Sequence, residues 1–530
     1  MRFPPILALT LSLLIPALTQ AAEKPNVLLI MADDMGYSDL GCYGGEVDTP
    51  HLDALAADGL RFTQFYNTGR CWPSRISLMT GKYPHQAGHA MHFGPDAPRA
   101  YAAHTPDQGQ MISEVLDGAG YHSYHVGKWH MDNRHIKDKP NPTYPLQRGF
   151  DHSYYVRSQH NFFNPHRMMD DDEPVEFPAG KDNPMGNGEY YLTTDFTNRT
   201  IGFLDLHKKE HPDSPFFLYL AHTAPHFPLH ALPQDIERFM DGRYAVGWDE
   251  IRKQRHARMT EMGLINCSLS PRDPEAVAWD SLSDEEKKKW ETHMAIHAAM
   301  IYRVDVGIGR IVEKLKANGQ FDNTLILFLS DNGASAEYIV RGDGHDPEAP
   351  LGSGASYLCL EVGWANAANT PFREHKMWTH EGGISTPLIA HWPAGIQAKG
   401  LTPQMGHVID VMPTVAELAE LAPASGPGTS LVPIFEGKER PEPGFIHFEH
   451  TGNRALRKGK WKLVSEFGGE WELYDMSVDR SETSNLITEH PELAQEMQHT
   501  WQQYADEIGV VPWGTLPQSK NTPNADYRKK

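Results

Sequence analysis

Two apolar runs end at once in acidic or amide pairs: NVLLIMA runs into Asp33-Asp34, and TLILFLS runs into Asp331-Asn332. A run that is apolar at every position cannot be a strand with one wet face. It fits a strand covered on both faces. Asn26–Met31 and Thr324–Leu329 are two such runs; His122–Val126, Pro215–Leu220 and Pro387–Ala390 are three more. Between them lie helical patterns at Thr49–Asp58, Gly109–Asp117, Met294–Ala317 and Val408–Leu421. Strands alternating with helices predict an α/β fold, a large, mostly parallel sheet flanked by helices. In such sheets ligands bind beyond the carboxyl ends of the strands. Asp33, Asp34, Asp331 and Asn332 would then gather four hard oxygen donors at one edge. Asp and Asn also end strands and open turns for purely local reasons. Three carboxylates brought together, however, repel unless a cation joins them, and oxygen donors favour Ca²⁺ or Mg²⁺ over Zn²⁺.

The rest of the chain divides around this frame. Residues 1–22 carry Arg2, an apolar run from Ile6 to Leu18 and a small-residue end, the pattern of a secretory signal. The run is too short to span a bilayer and no cysteine follows it, so a periplasmic or secreted protein without a lipid anchor or membrane insertion is expected. Residues 23–428 form the expected catalytic unit, with Met240–Ser281 an excursion from the sheet and Ala334–Thr370 a long loop of the kind that covers a site. After the Ala422–Gly428 linker, residues 429–530 read as a small α+β unit with strands at Gly444–Phe448, Gly459–Val464 and Glu470–Tyr474, a helix at Pro491–Ile508 and a loose tail beyond Pro512. The sequence holds 48 Lys and Arg against 69 Asp and Glu, a net charge of −21. That excludes a general nucleic-acid binder and, taken alone, argues against an anionic substrate. Four cysteines exclude a disulfide scaffold; among Cys42, Cys267 and Cys359 at most one bridge could form.

Other reactive side chains collect near presumed strand ends. Cys71-Trp72-Pro73-Ser74-Arg75 places a cysteine where Pro73 signals a helix start, and a helix N-terminus favours anions and a lowered thiol pKa. A buried structural cysteine is the plain alternative. Lys128 and His130 follow the strand at His122–Val126; His222 and His226 follow PFFLYL; Lys376 and His380 precede Pro387–Ala390. One edge with a metal, a nucleophile, an Arg, Lys and His suits a tetrahedral oxyanion ester.

The motifs Cys71-x-Pro73-Ser74-Arg75 with Leu78-x-Thr80-Gly81, and Gly120-Tyr121 with Gly127-Lys128-Trp129-His130, resemble the two signatures of the formylglycine-dependent type I sulfatases of the alkaline phosphatase superfamily. The opening PNVLLIMADDMGYSDLGCYGG, TAPHFP, SDNGAS and HEGGISTP segments are similar as well, so the resemblance spans essentially the whole mature chain and is closest to bacterial arylsulfatases. It implies an alkaline-phosphatase-like mixed sheet with a small C-terminal α+β subdomain built on an antiparallel sheet. It further implies that Cys71 is oxidised by a formylglycine-generating enzyme and that its hydrate is the nucleophile. In that reading sulfate is transferred to the formylglycine and then eliminated. Asp33, Asp34, Asp331, Asn332 and the modified Cys71 would hold one Ca²⁺, and Arg75 would polarise the formylglycine hydroxyls. Lys128 and Lys376 would bind the sulfate oxygens, His226 would be the general acid, and His130 would take the proton that releases sulfate. His380 is a substrate contact only by position, and His222 has no counterpart. The barrier to be lowered in such reactions is roughly 8–23 kcal/mol, and one oriented donor supplies ~3 kcal/mol, so a metal and several donors acting together are expected.

The implied partner is a sulfated small molecule or glycan, aryl or carbohydrate. Two other readings compete. One is a phosphodiester or phosphonate-ester hydrolase of the same superfamily; the other is a non-catalytic protein that captures sulfated glycans. The intact Cys71 motif argues against the second.

Overall fold

A computed structural model describes residues 24–157, 161–175, 190–341, 344–422 and 425–521. The signal expected at 1–22 lies outside the described residues. The main sheet is built from β1 (Asn26–Asp33), β2 (Leu60–Tyr66), β3 (His122–Lys128), β4 (His152–Val156), β5 (Met168–Asp170), β6 (Glu173–Pro174), β7 (Phe216–Pro225), β8 (Thr324–Ser330), β9 (Ser385–His391), β10 (Gly400–Thr402) and β11 (Gly406–His407). Its order is β10-β2-β9-β8-β1-β7-β3-β4-β5-β6, with β11 also on β2. Strands β8, β1, β7, β3 and β4 run parallel, whereas β9 is antiparallel to both β8 and β2.

The apolar runs follow from what covers this sheet. In β1, Leu28, Ile30 and Ala32 face one core and Val27, Leu29 and Met31 face the other. With a side-chain period of two, a strand buried on both faces must be apolar throughout. Each fully buried Leu or Ile contributes roughly 1.5–3 kcal/mol to that layering. The first face carries the helices Leu192–Glu210 and Asp284–Ala317; the second carries Cys71–Thr80, Ile112–Asp117 and Val411–Leu418.

A second, antiparallel sheet follows: β12 (Ile446–His450), β13 (Asn453–Lys458), β14 (Trp461–Ser465) and β15 (Glu472–Asp475). The helix Pro491–Ile508 buries Ala494, Met497, Trp501, Ala505 and Ile508, spaced three or four apart. It packs on Leu456, Leu463 and Leu473.

Several expectations are corrected. The helix read at Met294–Ala317 begins ten residues earlier, at Asp284, where Ser283 and Glu286 form a capping box. The long loop 334–370 contains a helix, Glu361–Ala368. Met240–Ser281 leaves the sheet as expected, carries the helix Gly247–Glu261, and is anchored where Trp248 and Trp279 pack edge-on against each other and against Trp364 of the helix Glu361–Ala368. The tail does not loosen at Pro512, because Trp513 and Leu516 are buried in a cluster with Cys71, Trp72 and Tyr101. All four cysteines are free.

Candidate functional site

The five parallel strands aim their carboxyl ends at one edge, and the reactive residues arrive there by three routes. Asp33 and Lys128 close β1 and β3; Asp34, His226, Asp331 and Asn332 lie just past β1, β7 and β8. Cys71 and Arg75 come from the helix Cys71–Thr80, entered from the carboxyl end of β2. Lys376 precedes β9, and in a purely parallel sheet it would lie at the opposite edge. It reaches the site because β9 runs antiparallel to β8, so the amino end of β9 meets the carboxyl end of its neighbour.

The cluster is dry. Asp33, Asp331, Asn332, Arg75 and Lys128 are fully buried, and Cys71, Asp34, Lys376 and His226 are nearly so. Lys128 Nζ donates to Asp33 Oδ2 at 2.6 Å, and Lys376 Nζ donates to Asp34 Oδ2 at 2.9 Å. Arg75 grips Asp331 Oδ2 through Nε at 2.9 Å and Nη2 at 2.7 Å, and donates through Nη1 to the Lys128 carbonyl at 3.1 Å. Asn332 Nδ2 donates to Asp34 Oδ1 at 2.7 Å, and the Asp34 amide, at φ 66°, donates to Asp331 Oδ1 at 3.3 Å. Two oxygens of this network, Asp33 Oδ1 and Asn332 Oδ1, are buried without a hydrogen-bond partner. A buried acceptor left unpaired costs free energy, and both are hard donors of the kind an alkaline-earth ion takes. Asp33, Asp34 and His226 also present ligand atoms within 4.8 Å of one another.

The electrostatics carry the same imprint. Burial first, and Asp33 next, push the Asp331 carboxyl up to about 7. Burial also raises Asp34 against the pull of Lys376. Carboxylates held that high lack positive charge. Burial raises the Cys71 thiol as well, although Lys128 and Lys376 oppose it; the helix start at Cys71 therefore does not make a reactive thiolate of it.

The histidines differ in what they offer. His226 Nδ1 lies 2.6 Å from the Phe227 carbonyl, and its Nε2 lies 3.2 Å from Lys376 Nζ and 3.5 Å from Asp34 Oδ2. His130 stands at φ 54° with Nδ1 buried and without a partner, its ring edge-on to Trp72. Burial and then Lys128 hold its pKa far below the ordinary histidine range. His222 gives only its carbonyl to this region, 3.5 Å from Arg75 Nη2. His380 is drawn elsewhere: its Nε2 faces Glu472 Oε2 at 3.6 Å, and it lines a cavity of about 600 Å³ with Arg373, Trp471 and Tyr474.

Two site residues escaped the sequence reading. Glu337, buried in the long loop, takes Lys376 Nζ at 3.0 Å. Arg70, directly before Cys71, lies over the ring of Trp72. No motif spacing marks either of them.

Residues 25–421 match the sulfatase family model, and residues 373–507 match the model described as N-sulphoglucosamine sulphohydrolase, C-terminal. An uncharacterized sulfatase of Schizosaccharomyces pombe is 32% identical over 92% of this chain and 95% of its own. An arylsulfatase of Klebsiella aerogenes is 32% identical over 76% of this chain and 88% of its own. The solved complex of Ps i-CgsB with k-i-k-neocarrahexaose aligns at a TM-score of 0.65 and 26% identity, over 91% of this chain and 93% of that one. Fold and site define a hydrolase of the alkaline phosphatase superfamily. Within it, the chain belongs to the type I sulfatases, enzymes that hydrolyse sulfuric esters.

Proposed function

We propose that the protein cleaves a sulfate monoester of a carbohydrate or aryl alcohol, with Cys71 converted to formylglycine and one Ca²⁺ at Asp33, Asp34, Asp331 and Asn332. The observation that carries this reading is the pair of orphaned oxygens, Asp33 Oδ1 and Asn332 Oδ1, in the acid cluster that flanks Cys71. Hard oxygen donors, a carboxyl pushed up by burial and unpaired acceptors fit a divalent cation. When bound, the ion offsets the acids and polarises a sulfate oxygen. Residue 71, once converted to formylglycine and hydrated, would supply the hydroxyl for attack on sulfur.

The chain's own residues do the rest. Arg75, fixed by Asp331 and the Lys128 carbonyl, cannot swing away from residue 71, one helical turn before it. Lys128 and Lys376 are ion-paired with Asp33 and Asp34 and offer their remaining N–H groups to the sulfate oxygens. With Nδ1–H of His226 donating to the Phe227 carbonyl, Nε2 faces the site and accepts from Lys376 Nζ at 3.2 Å, so the proton passed to the leaving oxygen through Nε2 would be drawn from Lys376. His130 is kept neutral by burial, and its unpaired Nδ1 is free to accept a proton. The net charge of −21 poses no obstacle, since surface acids are screened within about 8–10 Å while Arg75, Lys128 and Lys376 set the local sign.

Cys71 is 2% exposed. A formylglycine-generating enzyme would therefore act before this region folds. No helix among the described residues is long and apolar enough to cross a membrane. We assign residues 1–22 to a secretory signal and the mature enzyme to a periplasmic or secreted location, with residues 23–428 as its catalytic unit and 429–530 as its C-terminal subdomain.

The test is a paired measurement on protein co-produced with a formylglycine-generating enzyme. The Cys71 peptide should be lighter by about 18 Da, as expected when SH and H give way to a carbonyl oxygen, and turnover of an aryl sulfate should track the converted fraction. Full activity with an unmodified thiol, or faster turnover of an aryl phosphodiester, would overturn the proposal.

A further inference from the structure

Arg70 carries a charge that no carboxylate meets in direct contact. It precedes Cys71 in extended conformation, φ −153° and ψ 156°, and is 9% exposed. Its guanidinium lies 4.1 Å above the Trp72 ring, and its Nη1 is 3.4 Å from His450 Nε2. Nε is buried without a hydrogen-bond partner. Among the described residues no carboxylate oxygen comes within 4 Å of it, whereas buried Arg75, Arg148, Arg255, Arg440 and Arg480 each hold one. Arg252 and Arg457 also lack an acid, but backbone carbonyls take their N–H groups. Arg70 has neither. A buried unpaired charge is costly, and the cation–π contact with Trp72 offsets only part of it.

The position says what would complete it. Trp72 is boxed by the rings of His92, His130 and His450 at 5.1, 5.5 and 6.0 Å, so Arg70 is braced against the wall that carries His130. Against the upward push of burial, Lys376 and then Arg70 hold the Glu337 carboxyl low, so Arg70 shares the electrostatic environment of the site.

We propose that Arg70, braced by Trp72 and His450, is the receptor for a second anionic group on the substrate, a carboxylate or a sulfate borne on the sugar beside the ester that is cleaved. The inference rests on the sulfatase reading of the Cys71 site and narrows it to dianionic saccharides. A planar fork suits either anion, with two parallel N–H···O bonds.

The experiment compares kcat/KM for formylglycine-bearing wild type, Arg70→Gln and Arg70→Lys on three kinds of probe. These are 4-nitrophenyl sulfate, a panel of monosulfated neutral hexosamines, and the same hexosamines with either a second sulfate or a linked uronate. The readout is the ratio of dianionic to monoanionic kcat/KM. It should exceed about tenfold in wild type, chiefly through KM, fall to about one in Arg70→Gln, and lie between the two in Arg70→Lys, as expected when a buried polar group loses its partner. A preference for the uronate arm or for the disulfated arm identifies the anion, and either one supports the proposal. An unchanged ratio in Arg70→Gln, or an equal loss on every probe, overturns it; the second result would make Arg70 a structural brace for Trp72. Wild type that turns over 4-nitrophenyl sulfate but shows no dianionic preference overturns this inference alone. Wild type inactive on every sulfate overturns the sulfatase reading with it.

Discussion

The molecule buries charge in two places and treats it oppositely. At the carboxyl edge of the main sheet, Asp33, Asp34 and Asp331 face Arg75, Lys128 and Lys376, and two oxygens stay unpaired. Where the second sheet meets the first, Glu381 and Glu482 face Lys462 and Arg480 with no acid in excess. Lys462 Nζ lies 3.0 Å from Glu381 Oε1 and 2.8 Å from Glu482 Oε1, and Arg480 Nη2 lies 3.1 Å from Glu381 Oε2. Tyr66, Ser385 and the Glu381 amide join that network, and Glu482 Oε1, which has no hydrogen-bond partner, still has the Lys462 ammonium 2.8 Å away. Both clusters are desolvated. Yet Asp331 is pushed up to about 7, while Lys462 and Arg480 overcome burial and hold Glu381 down at about 2. Burial alone therefore does not mark a functional site; a cluster whose carboxylates are pushed up and whose oxygens stay unpaired does.

The sharpest way to break this contrast is at the nucleophile. Cys71→Ala should lower kcat/KM on an aryl sulfate by at least about 10⁴-fold, with the melting temperature nearly unchanged. A smaller loss would move the chemistry away from residue 71. Next in size, Asp331→Ala, or removal of calcium from the wild type, should cost about 10³-fold in kcat. Calcium should rescue the stripped wild type and not the variant. Retained turnover in a verified metal-free sample would remove Asp331 from the ligand set.

The closed cluster should respond the other way. Glu381→Gln leaves Lys462 and Arg480 short of an acid in a dry place, which costs roughly 3–5 kcal/mol. Denaturant unfolding should show that loss, while Asp331→Asn in metal-free protein should shift stability by less than about 1 kcal/mol. If both variants lose stability equally, the two clusters do not differ in kind.

How much of this was legible in the chain follows from sequence distance. Asp33-Asp34 and Asp331-Asn332 could be read because each pair ends a strand that is apolar on both faces. Cys71, Arg75 and Lys128 sit in compact motifs. The strand Leu60–Tyr66 was not read, since its Arg and Gln interrupt any apolar run, and β4, opening on His152-Ser153, was not read either. Lys376 was placed at the correct edge for an incomplete reason, because residue patterns do not reveal that β9 runs antiparallel. The Glu381 network joins residues up to 315 positions apart, as in the Tyr66–Glu381 contact, and no local spacing announces it. Arg70 and Glu337 were missed for the same reason: their partners come together only in the folded structure.

The smallest expected effect is a pH dependence of metal binding to the folded state. Glu381 has its folded pKa lowered from 4.5 to about 2, so its contribution to stability is present above about 4.5 and is lost only as pH falls towards 2. Asp331 has its folded pKa raised from 3.8 to about 7, so in metal-free protein its protonated form favours folding at low pH, and that contribution is lost as pH rises from about 4 to 7. Between pH 5 and 7 the closed cluster is therefore silent and the open one titrates. Calcium needs the ionised carboxylate and compensates the charge that burial penalises, so it should raise the melting temperature more at pH 7 than at pH 5. The difference should be a few degrees, read by thermal melting of stripped protein with and without calcium at both pH values. An equal shift at the two pH values would mean that calcium binds away from Asp331, and the contrast between the two clusters would then lose its physical basis.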